Sequence, residues 1–474
     1  MDVGGAEMAS SVNTRAEHFD VLILGSGEAG KYLSWTLGGD GKHVALVERR
    51  YIGGSCPNIA CLPSKNVVHS AKVAWYARRL NEFGLNLPAP GIDMSIVRDR
   101  KRAMVNGLID THNQRFNANH VEFIFGQGAF VGPREISVDL QEGGTRLLSA
   151  DIVIVSTGSR AILPDIPGLQ TAQPMTHVEE LELGTLPDHL IVLGAGYVGL
   201  EFAQAMARFG SKVTVIDRNA RLLPHEDEDV ALALGRLLVA DGVQFLFSSA
   251  AESVSGQSGD SVEVRVSGPS GQKVLTGTHI LAATGRAPNT EGIGLEVAGI
   301  DLDAAGHIKV NGSLQTSAEG VYAVGDCAGS PYFTHIAYDD YRTVYRTLKG
   351  DGRVTTGRQV PYTLFTDPEL AHVGLHEDDA KRQGISYRLA KIPMAAVLRT
   401  RTLGETEGFL KALVADDDRI LGFTALGVGA GELLAPVQLA MSAGLPFTAL
   451  RDLILTHPTM TEGLVFLFSS LSSK

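Results

Sequence analysis

The apolar and polar positions repeat one arrangement along the chain. A short apolar run, Phe19 to Leu24, leads into glycines, a helical segment and a second apolar run, His43 to Val47. The same order returns from His189 to Leu193, through a helix at Leu200 to Phe209, to a strand at Lys212 to Ile216. Short apolar runs separated by helices are typical of buried parallel strands in βαβ units. The pattern predicts an α/β fold with two such domains.

The remaining segments contain further strands and a different kind of domain. We predict a helix over Ser95 to Asn119 and strands at Val121 to Val131, Glu135 to Leu140, Asp151 to Val155, Val262 to Val266, Lys273 to Thr276, His279 to Ala283 and Val321 to Val324. After about Gly350 the pattern alternates, as in an antiparallel sheet. The strands predicted there are Val360 to Leu364, Ile385 to Ile392, Gly408 to Val414 and Ile420 to Leu426, with helices at Glu377 to Gln383 and Leu433 to Ala443. This part has no glycine-rich phosphate loop, so we predict a third, α+β domain.

Composition narrows the classes of function. The chain has 474 residues and a formal net charge of -12, which argues against a general nucleic-acid-binding protein. No apolar run reaches the length of a membrane span without a charge or a helix breaker. Residues 1–17 are polar and lack an apolar signal core. We therefore expect a disordered lead and a cytoplasmic protein without a membrane partner.

Each repeat carries the fingerprint of a dinucleotide-binding loop. The glycines are Gly25, Gly27 and Gly30 in the first repeat and Gly194, Gly196 and Gly199 in the second. Glu48 ends the next strand of the first repeat, and Asp217 ends that of the second. The glycines let the backbone approach a pyrophosphate, and the acid can bond a ribose hydroxyl. Two fingerprints predict two dinucleotides, for which a flavin and a nicotinamide are the natural pair.

The choice between NADH and NADPH depends on residues near the second acid. Asp217 can bond the 2′-hydroxyl of NADH and would repel a 2′-phosphate. Arg218 and Arg221 could instead neutralise that phosphate. We favour NADH.

Further candidates follow the ends of predicted strands. Thr157 and Gly158 come after one buried strand, and Gly285 takes the equivalent place in the second repeat. Asp326 follows the strand that ends at Val324. Acids at the carboxyl ends of parallel strands face the crevice where such sheets bind ligands. Asp326 could hold a ribityl hydroxyl, and it could also cap a helix.

Two cysteines, Cys56 and Cys61, are separated by four residues. A helical stripe of apolar residues starts at Val67, so Cys61 is expected at or just before a helix N-terminus, where the dipole lowers a thiol pKa and favours the thiolate. Lys65 adds a cation one turn further on. A redox-active pair is favoured over half of a zinc site, an inert disulfide or two unrelated buried thiols. The remaining cysteine, Cys327, is expected to be a small buried thiol, and we predict no metal site.

His457 and Glu462 are candidates for acid–base chemistry. An imidazole with a carboxylate five residues further on can form a base and the group that orients it. From the spacing alone, a histidine that caps a helix end beside an unrelated glutamate is the favoured interpretation.

The motifs together resemble one known family. The segment Gly53 to Lys65 is similar to the redox motif of the class I flavoprotein pyridine nucleotide–disulfide oxidoreductases, which include dihydrolipoamide dehydrogenase, glutathione reductase and mercuric reductase. The two fingerprints, Asp326 and His457 follow in the family's order, from about Phe19 to Phe468. The resemblance implies an FAD-binding domain (18–165 and 286–350), an NAD(P)-binding domain (166–285) and a C-terminal dimerisation domain (351–474).

The resemblance also implies a role for each candidate residue. Cys61 would face the flavin, Cys56 would attack the substrate, and Lys65 would lie near the flavin and pair with Glu201. In a homodimer, His457 of the partner subunit, oriented by Glu462, would be the acid–base for Cys56. The predicted cofactor-binding residues are Gly25, Gly27, Gly30, Glu48, Lys65, Thr157, Gly158, Gly194, Gly196, Gly199, Asp217, Arg218, Gly285 and Asp326.

The resemblance implies an NAD(P)H-dependent enzyme that passes electrons through FAD and a Cys56–Cys61 disulfide to a disulfide or a small oxidant. The segment from Phe333 to Arg342 resembles the mercuric-reductase-like branch, although the chain lacks that enzyme's C-terminal cysteine pair. Dihydrolipoamide dehydrogenase of a multienzyme complex is an alternative, although Leu455 stands where that enzyme usually has a second histidine. A flavin-binding redox sensor without turnover is an alternative of another class.

Overall fold

The computed structural model describes residues 16–88 and 91–471. Its strands are β1 (Glu17–Leu24), β2 (Val44–Glu48), β3 (Glu122–Gly132), β4 (Glu135–Leu140), β5 (Thr145–Val155), β6 (Ser159–Ala161), β7 (His189–Leu193), β8 (Lys212–Ile216), β9 (Val243–Leu246), β10 (Ala250–Gln257), β11 (Ser261–Gly268), β12 (Gly271–Gly277), β13 (His279–Ala282), β14 (Arg286–Pro288), β15 (Val321–Ala323), β16 (Tyr362–Leu364), β17 (Glu369–Gly374), β18 (Arg388–Pro393), β19 (Phe409–Val414) and β20 (Ile420–Gly427). Its helices are α1 (Glu28–Gly39), α2 (Ser55–Ile59), α3 (Cys61–Arg78), α4 (Met94–Ala118), α5 (His177–Glu180), α6 (Tyr197–Phe209), α7 (Glu228–Ala240), α8 (Thr334–Leu348), α9 (Glu377–Gln383), α10 (Leu398–Leu403), α11 (Ala430–Ser442), α12 (Thr448–Arg451) and α13 (Glu462–Ser469).

The described residues form two compact units. The first contains the chain up to Asn58, Leu108–Ser159 and Pro288–Thr356, and the second contains Ile59–Gly107, Arg160–Ala287 and the chain from Gly357 onward. The domain limits drawn from the sequence stay a prediction. The lead expected at residues 1–17 lies outside the described residues, except for Ala16 and for Glu17, with which β1 begins.

The first unit is built on a parallel sheet in the order β3-β2-β1-β5-β15. The apolar runs predicted as buried strands are buried, and Leu22, Leu46 and Val153 have no exposed surface. Strands β3 and β5 extend beyond this sheet and pair antiparallel with β4. Leu24 pairs with Val47 and with Val155, so these strands end at one edge of the sheet.

The second unit repeats this plan and adds an antiparallel sheet. Its parallel sheet has the order β13-β7-β8-β9, with β10, β11 and β12 as an antiparallel excursion. Residues from Tyr362 onward form the sheet β16-β17-β20-β19-β18, against which α11 packs. Leu193 pairs with Ile216 and with Ala282, so β7, β8 and β13 also end together. The predicted α/β class is confirmed.

The sequence pattern missed several elements. Strand β10 has one buried residue, Val254, so it carries little of the apolar signal that marks a strand. Strand β17 contains a buried histidine, His372, which interrupts its apolar run. Helix α2 has five residues, too few for a helical period to be recognised. No helix within residues 16–88 and 91–471 combines the length and the apolarity that a membrane crossing needs.

Candidate active site

The first fingerprint forms a tight turn between β1 and α1. Gly25 has φ +100°, and a side chain there would collide with the carbonyl of Ser156. A side chain on Gly30 would collide with the carbonyl of Gly25, so this glycine lets α1 pack against the loop. Gly27 directly precedes the first residue of α1, and no side chain caps the N-terminus of this helix. The loop therefore fits the pyrophosphate of a dinucleotide.

Glu48 lies at the end of β2 and holds this loop. Its Oε2 accepts hydrogen bonds from the backbone N–H (2.8 Å) and the hydroxyl (2.7 Å) of Ser26, and its Oε1 accepts from the N–H of Arg50 (2.8 Å) and of Tyr51 (3.1 Å). The carboxylate is buried. The sequence predicts that Glu48 binds a ribose. In the structure its carboxylate also holds the glycine turn in place.

A cleft of about 490 Å³ lies beside the end of β2. It is lined by Arg49, Arg50, Gly126, Gln127, Asp139 and Gln141. Sequence reasoning missed these residues, because they come from the segment after β2, the middle of β3 and the end of β4, which only the fold brings together.

The other strand ends of the first unit complete this edge. Gly158 has φ +68°, and a side chain built on it would meet open space, which leaves room for a ligand. Ser159 donates a hydrogen bond from its hydroxyl to the carboxylate of Asp326. Asp326 lies inside the short 3₁₀ helix Gly325–Ala328, which corrects the alternative reading of a helix cap. Thr157 follows β5 at the same edge.

Asp340 supports the Asp326 turn and was missed by the sequence reasoning. It lies on α8 and has no exposed surface. Its Oδ2 accepts hydrogen bonds from the N–H of Gly325 (2.8 Å) and the hydroxyl of Ser330 (2.7 Å). The signal in the sequence that could have revealed Asp340 is an aspartate at a position of the helix where an apolar residue is otherwise expected.

The second fingerprint has the same geometry in the second unit. Gly194 has φ +103°, and a side chain there would lie 2.5 Å from the carbonyl oxygen of Ala283. A side chain on Gly199 would collide with the carbonyl of Gly194, whereas one on Gly196 would meet no atom within 4 Å. Gly285 has φ +136°. The loop thus packs closely at its first and third glycines and opens at its second, as a pyrophosphate requires.

Asp217 holds the second loop as Glu48 holds the first. Its Oδ2 accepts a hydrogen bond from the N–H of Ala195 (2.6 Å), and its Oδ1 accepts from the N–H of Asn219 (2.7 Å). Arg221 donates to the carbonyl of Glu226 (3.0 Å) within its own loop, so its guanidinium is already engaged. Arg218 is exposed.

The cysteines begin two successive helices. Cys56 is the second residue of α2, and Cys61 is the first residue of α3, as predicted. Both thiols are half-buried. A side chain on Gly54 would lie 2.5 Å from Cα of Gly27, so the segment that leads to Cys56 packs directly on the first fingerprint loop. Asn58 donates to the carbonyls of Ile52 (2.9 Å) and Gly54 (2.7 Å) and fixes this turn.

Lys65 and Glu201 form the ion pair that the family resemblance implies. Lys65 Nζ lies 2.7 Å from Glu201 Oε2, and the glutamate side chain is only 7% exposed. Glu201 Oε1 accepts a second hydrogen bond from the N–H of Phe365 (2.9 Å), while the Lys65 ammonium lies 4.8 Å from the Phe365 ring centroid. The buried carboxylate therefore fixes Lys65 one turn after Cys61.

A second buried network holds α3. Lys72 Nζ contacts Asp367 (2.8 Å) and Glu405 (2.9 Å), and Arg208 pairs with Asp367. The Lys72 and Arg208 cations hold the pKa of Asp367 below its usual range although burial opposes this. These partners lie far apart in sequence, so no local spacing could reveal them.

His457 and Glu462 meet, contrary to the interpretation favoured by their spacing alone. His457 Nδ1 lies 3.0 Å from both carboxylate oxygens of Glu462, the first residue of α13. The His457 side chain is 60% exposed in this chain, whereas that of Glu462 is 16% exposed. Cys327 differs from the other two cysteines, since its thiol is buried, donates to the carbonyl of Val324 (3.3 Å) and has its pKa raised by burial.

The fold and these sites define a class of protein. The chain belongs to the pyridine nucleotide-disulphide oxidoreductase family, whose sequence signature matches residues 19–340, and the signature of the family's dimerisation domain matches residues 360–467. It is an NAD(P)H-dependent oxidoreductase of a family that uses FAD.

Individual relatives cover nearly the whole chain. It is 36% identical over 459 residues to the probable pyridine nucleotide-disulfide oxidoreductase RclA of Escherichia coli, covering 95% of this chain and 99% of that one. It is 34% identical over 451 residues to a dihydrolipoyl dehydrogenase of Thermus scotoductus, covering 94% and 96% of the two chains. Its fold matches, with a TM-score of 0.88, a solved Cu(II) complex of the HOCl-induced flavoprotein disulfide reductase RclA from Escherichia coli, which is 35% identical and covered over 96% of this chain and 100% of that chain.

Proposed function

We propose that this enzyme passes electrons from NAD(P)H to a disulfide or a small oxidant through Cys56 and Cys61. The observation that carries the proposal is the close packing of Gly54 on Gly27, because it joins the cysteine segment to the loop expected to bind FAD. The partial positive charge at the start of α3 favours a thiolate at Cys61.

We assign FAD to the first fingerprint and the nicotinamide to the second. The residues that would hold FAD are Gly25, Gly27, Gly30, Glu48, Thr157, Gly158 and Asp326, with Lys65 near the reactive ring, and those for the nicotinamide cofactor are Gly194, Gly196, Gly199, Asp217, Arg218 and Gly285. The open space beside Gly158 and Gly196 supports the fit. When bound, FAD supplies two-electron chemistry between a hydride donor and a dithiol.

The two thiols divide the work on a disulfide substrate. The Cys56 thiolate attacks one substrate sulfur, which forms a mixed disulfide and releases the other substrate sulfur as a thiolate. The Cys61 thiolate then attacks the Cys56 sulfur, releases the second substrate thiol and leaves a Cys56–Cys61 disulfide. Each substrate disulfide thus consumes the two electrons of one reduced dithiol.

His457 would supply the proton that the leaving thiolate needs. Glu462 holds Nδ1, which orients the ring and leaves Nε2 as the exchanging nitrogen. The exposure of this ring in one chain, together with the dimerisation domain, supports a homodimer in which His457 serves Cys56 of the partner subunit.

NADH is the proposed electron donor. Asp217 presents an acidic side chain where a 2′-phosphate would lie, and Arg221 is engaged by the carbonyl of Glu226. NADH has no 2′-phosphate for Arg218 to neutralise, so Arg218→Ala should raise the KM for NADPH more than the KM for NADH. We also propose a cytoplasmic location, where the thiols can cycle between reduced and oxidised forms.

Cu(II) is a small oxidant worth testing as substrate. The support is the solved Cu(II) complex of the Escherichia coli relative, which is 35% identical. Cu(II) would accept one electron per ion, so one reduced dithiol would reduce two ions. The resemblance of Phe333 to Arg342 to the mercuric-reductase-like branch points in the same direction.

Dihydrolipoamide dehydrogenase activity is the second candidate. The support is the 34% identity to the Thermus scotoductus enzyme over nearly the whole chain. Steady-state rates with dihydrolipoamide and NAD⁺, compared with rates with NADH and Cu(II) or a disulfide, separate the two. A flavin-binding sensor would give neither rate.

The decisive experiment is an anaerobic titration of the FAD-loaded enzyme with NADH and with NADPH. We expect bleaching of the flavin, faster with NADH, and a long-wavelength charge-transfer band that reports a thiolate beside the flavin. Cys61→Ser should abolish the band, whereas Cys327→Ser, a buried thiol outside the pair, should keep it. Full disulfide turnover in Cys61→Ser enzyme would refute the proposed route.

A further inference from the structure

An aromatic cluster in the first unit takes no part in the site described above. Tyr32 on α1 contacts Trp35 on the same helix and Tyr338 and Tyr341 on α8, and Tyr341 contacts Tyr345, so four of the chain's 11 tyrosines lie together. Ring centroids are separated by 5.1 Å between Trp35 and Tyr32, 5.6 Å between Tyr32 and Tyr341, and 6.2 Å between Tyr341 and Tyr345. The rings form a continuous series from a buried tryptophan, 6% exposed, to a half-exposed tyrosine.

The buried end of the series disfavours a retained positive charge. The indole Nε1–H of Trp35 is buried and has no hydrogen-bond partner among the described residues, so an oxidised Trp35 could not easily lose its proton. The guanidinium of Arg115 lies 5.1 Å from the Trp35 ring centroid, so a positive charge on Trp35 would face a cation. A tryptophan cation beside this guanidinium would readily take an electron that arrives through the ring of Tyr32.

The surface end of the series favours oxidation. The Tyr345 hydroxyl donates a hydrogen bond to Asp40 Oδ2 at 3.0 Å, and Lys349 Nζ lies 2.9 Å from the same oxygen. A phenol becomes strongly acidic when it loses an electron, so its proton would pass to the Asp40 carboxylate. The hydrogen bond to Asp40 is therefore already in place for the proton that Tyr345 loses on oxidation.

We propose that Trp35, Tyr32, Tyr341 and Tyr345 form an electron-hopping chain that protects the interior of this oxidoreductase from one-electron oxidants. An oxidising radical in the interior gains one electron from Trp35. The electron that refills Trp35 comes from Tyr345 by way of the rings of Tyr32 and Tyr341, whose hydroxyls keep their protons. The O–H bond of Tyr345 breaks, its proton goes to Asp40, and a neutral tyrosyl radical is left at the surface. A thiol in solution then donates a hydrogen atom and restores the phenol.

The series has one obligatory step. Tyr338 offers a second link between Tyr32 (4.8 Å) and Tyr341 (5.3 Å), but among the described aromatic contacts Tyr345 meets only Tyr341. Phe116, 5.5 Å from Trp35, leads into phenylalanines, which are much harder to oxidise and end that route. Tyr341→Phe therefore interrupts the chain while keeping an aromatic ring in place.

Pulse radiolysis of the FAD-loaded enzyme tests the proposal. The chain has 2 tryptophans, so a Trp75→Phe background leaves Trp35 as the only one. Azide radicals would oxidise Trp35, and we expect the tryptophanyl signal to decay as a tyrosyl signal grows, at a rate independent of protein concentration. Adding Tyr341→Phe should slow this transfer severalfold. Electron paramagnetic resonance of Tyr345→Phe enzyme should lose the final tyrosyl signal.

Tyr387→Phe is the matched control. Its hydroxyl donates to Glu377 Oε2 at 3.0 Å, as Tyr345 does to Asp40, yet it belongs to no described aromatic contact. It should leave the transfer rate unchanged, and unaltered FAD content and thermal unfolding would show that each variant is folded. The proposal fails if Trp35 gives no tryptophanyl radical, if Tyr341→Phe leaves its decay rate unchanged, or if Tyr387→Phe slows the decay as much.

Discussion

At the scale of single residues, Glu180 is an acid in an apolar environment. Its side chain is 2% exposed, and neither carboxylate oxygen has a hydrogen-bond partner among the described residues. Burial raises the pKa of Glu180 to about 8, from an ordinary value of 4.5. Between these values the unfolded chain releases a proton that the folded chain keeps, so this group's contribution to stability is full below pH 4.5 and is lost as the pH rises to 8.

Glu180→Gln should therefore stabilise the protein at high pH. We expect the free energy of unfolding of the variant to exceed that of the wild type by roughly 2–4 kcal/mol at pH 8, because the amide has no proton to lose. The advantage should shrink at pH 5. Urea unfolding at the two pH values measures it, with the exposed Glu142→Gln as control. Equal pH dependence in the wild type and the Glu180→Gln variant would contradict this assignment.

Lys411 shows the opposite case of a buried charge that is fully paired. Its side chain has no exposed surface, and its Nζ lies 2.7 Å from Asp227, 2.8 Å from Asp229 and 3.0 Å from Glu377. These acids are the only group of three ligands within metal-binding distance in the described part of the chain. The Lys411 ammonium occupies the place that a metal ion would take. Desolvation lowers the pKa of Lys411, but the hydrogen bonds and the negative charges of the three acids outweigh it, so the pKa is raised.

Lys411→Met should be strongly destabilising, because it leaves the carboxylates without their buried cation. We expect a loss of about 3–5 kcal/mol in the free energy of unfolding. Lys391→Met is the control: Lys391 also pairs with Asp229, but its side chain is 38% exposed, and its loss should cost less than about 1 kcal/mol. Urea unfolding compares the two, and equal losses would argue against a buried cage.

At the scale of elements, the turn between β7 and α6 separates folding from binding. Gly194 needs its left-handed φ and its lack of a side chain, because the Ala283 carbonyl lies beside it. Gly196, directly before α6, has φ −85° and no neighbour within 4 Å of an added side chain. The first glycine is therefore required by the fold, and the second is required only by a ligand.

A pair of alanine variants tests this difference. Gly194→Ala should lower the free energy of unfolding by more than about 1 kcal/mol through backbone strain and collision. Gly196→Ala should unfold like the wild type but bind NADH more weakly, because its methyl group would occupy the space proposed for the pyrophosphate. Thermal unfolding and equilibrium titration with NADH measure the two effects. Unchanged NADH affinity in Gly196→Ala would remove the proposed site from this loop.

At the scale of the whole molecule, the dimerisation domain supports a homodimer, and the His457–Glu462 pair lies within that domain. Glu462 is largely buried and orients His457, whose ring is 60% exposed. An exposed, oriented imidazole within the segment that matches the dimerisation domain, residues 360–467, suits the proposal that the partner chain completes the site.

Mixed dimers would test whether sites are shared between chains. Cys56→Ser and His457→Ala homodimers should each be nearly inactive in disulfide reduction. If one chain supplies the thiol and the other the imidazole, a dimer formed from one copy of each variant regains one intact site of its two. Activity after unfolding and co-refolding the two variants measures this. No recovery despite demonstrated mixed dimers would place both groups of a site on one chain.

The predictable part of the fold followed from local signals. The apolar runs around Gly25 and Gly194 and the glycine spacing after them identified both nucleotide loops, because strand burial and turn geometry act over a few residues. Strand β10 and helix α2 were missed, since one is mostly exposed and the other is very short. The pairing of His457 with Glu462 was misjudged from spacing alone. No local sequence pattern shows how the segment before α13 brings the His457 ring beside the Glu462 carboxylate.

By itself the sequence determined the α/β class, the two dinucleotide loops, the cysteine pair and the family. Each of these features depends on residues that lie close together along the chain. Only the tertiary structure decided which other distant groups meet: Lys411 with its three acids, Asp340 with the Asp326 turn, and Tyr32 with Tyr341. These contacts join residues far apart along the chain, and a buried charge or ring reveals its partner only when the sheet and helix packing are known.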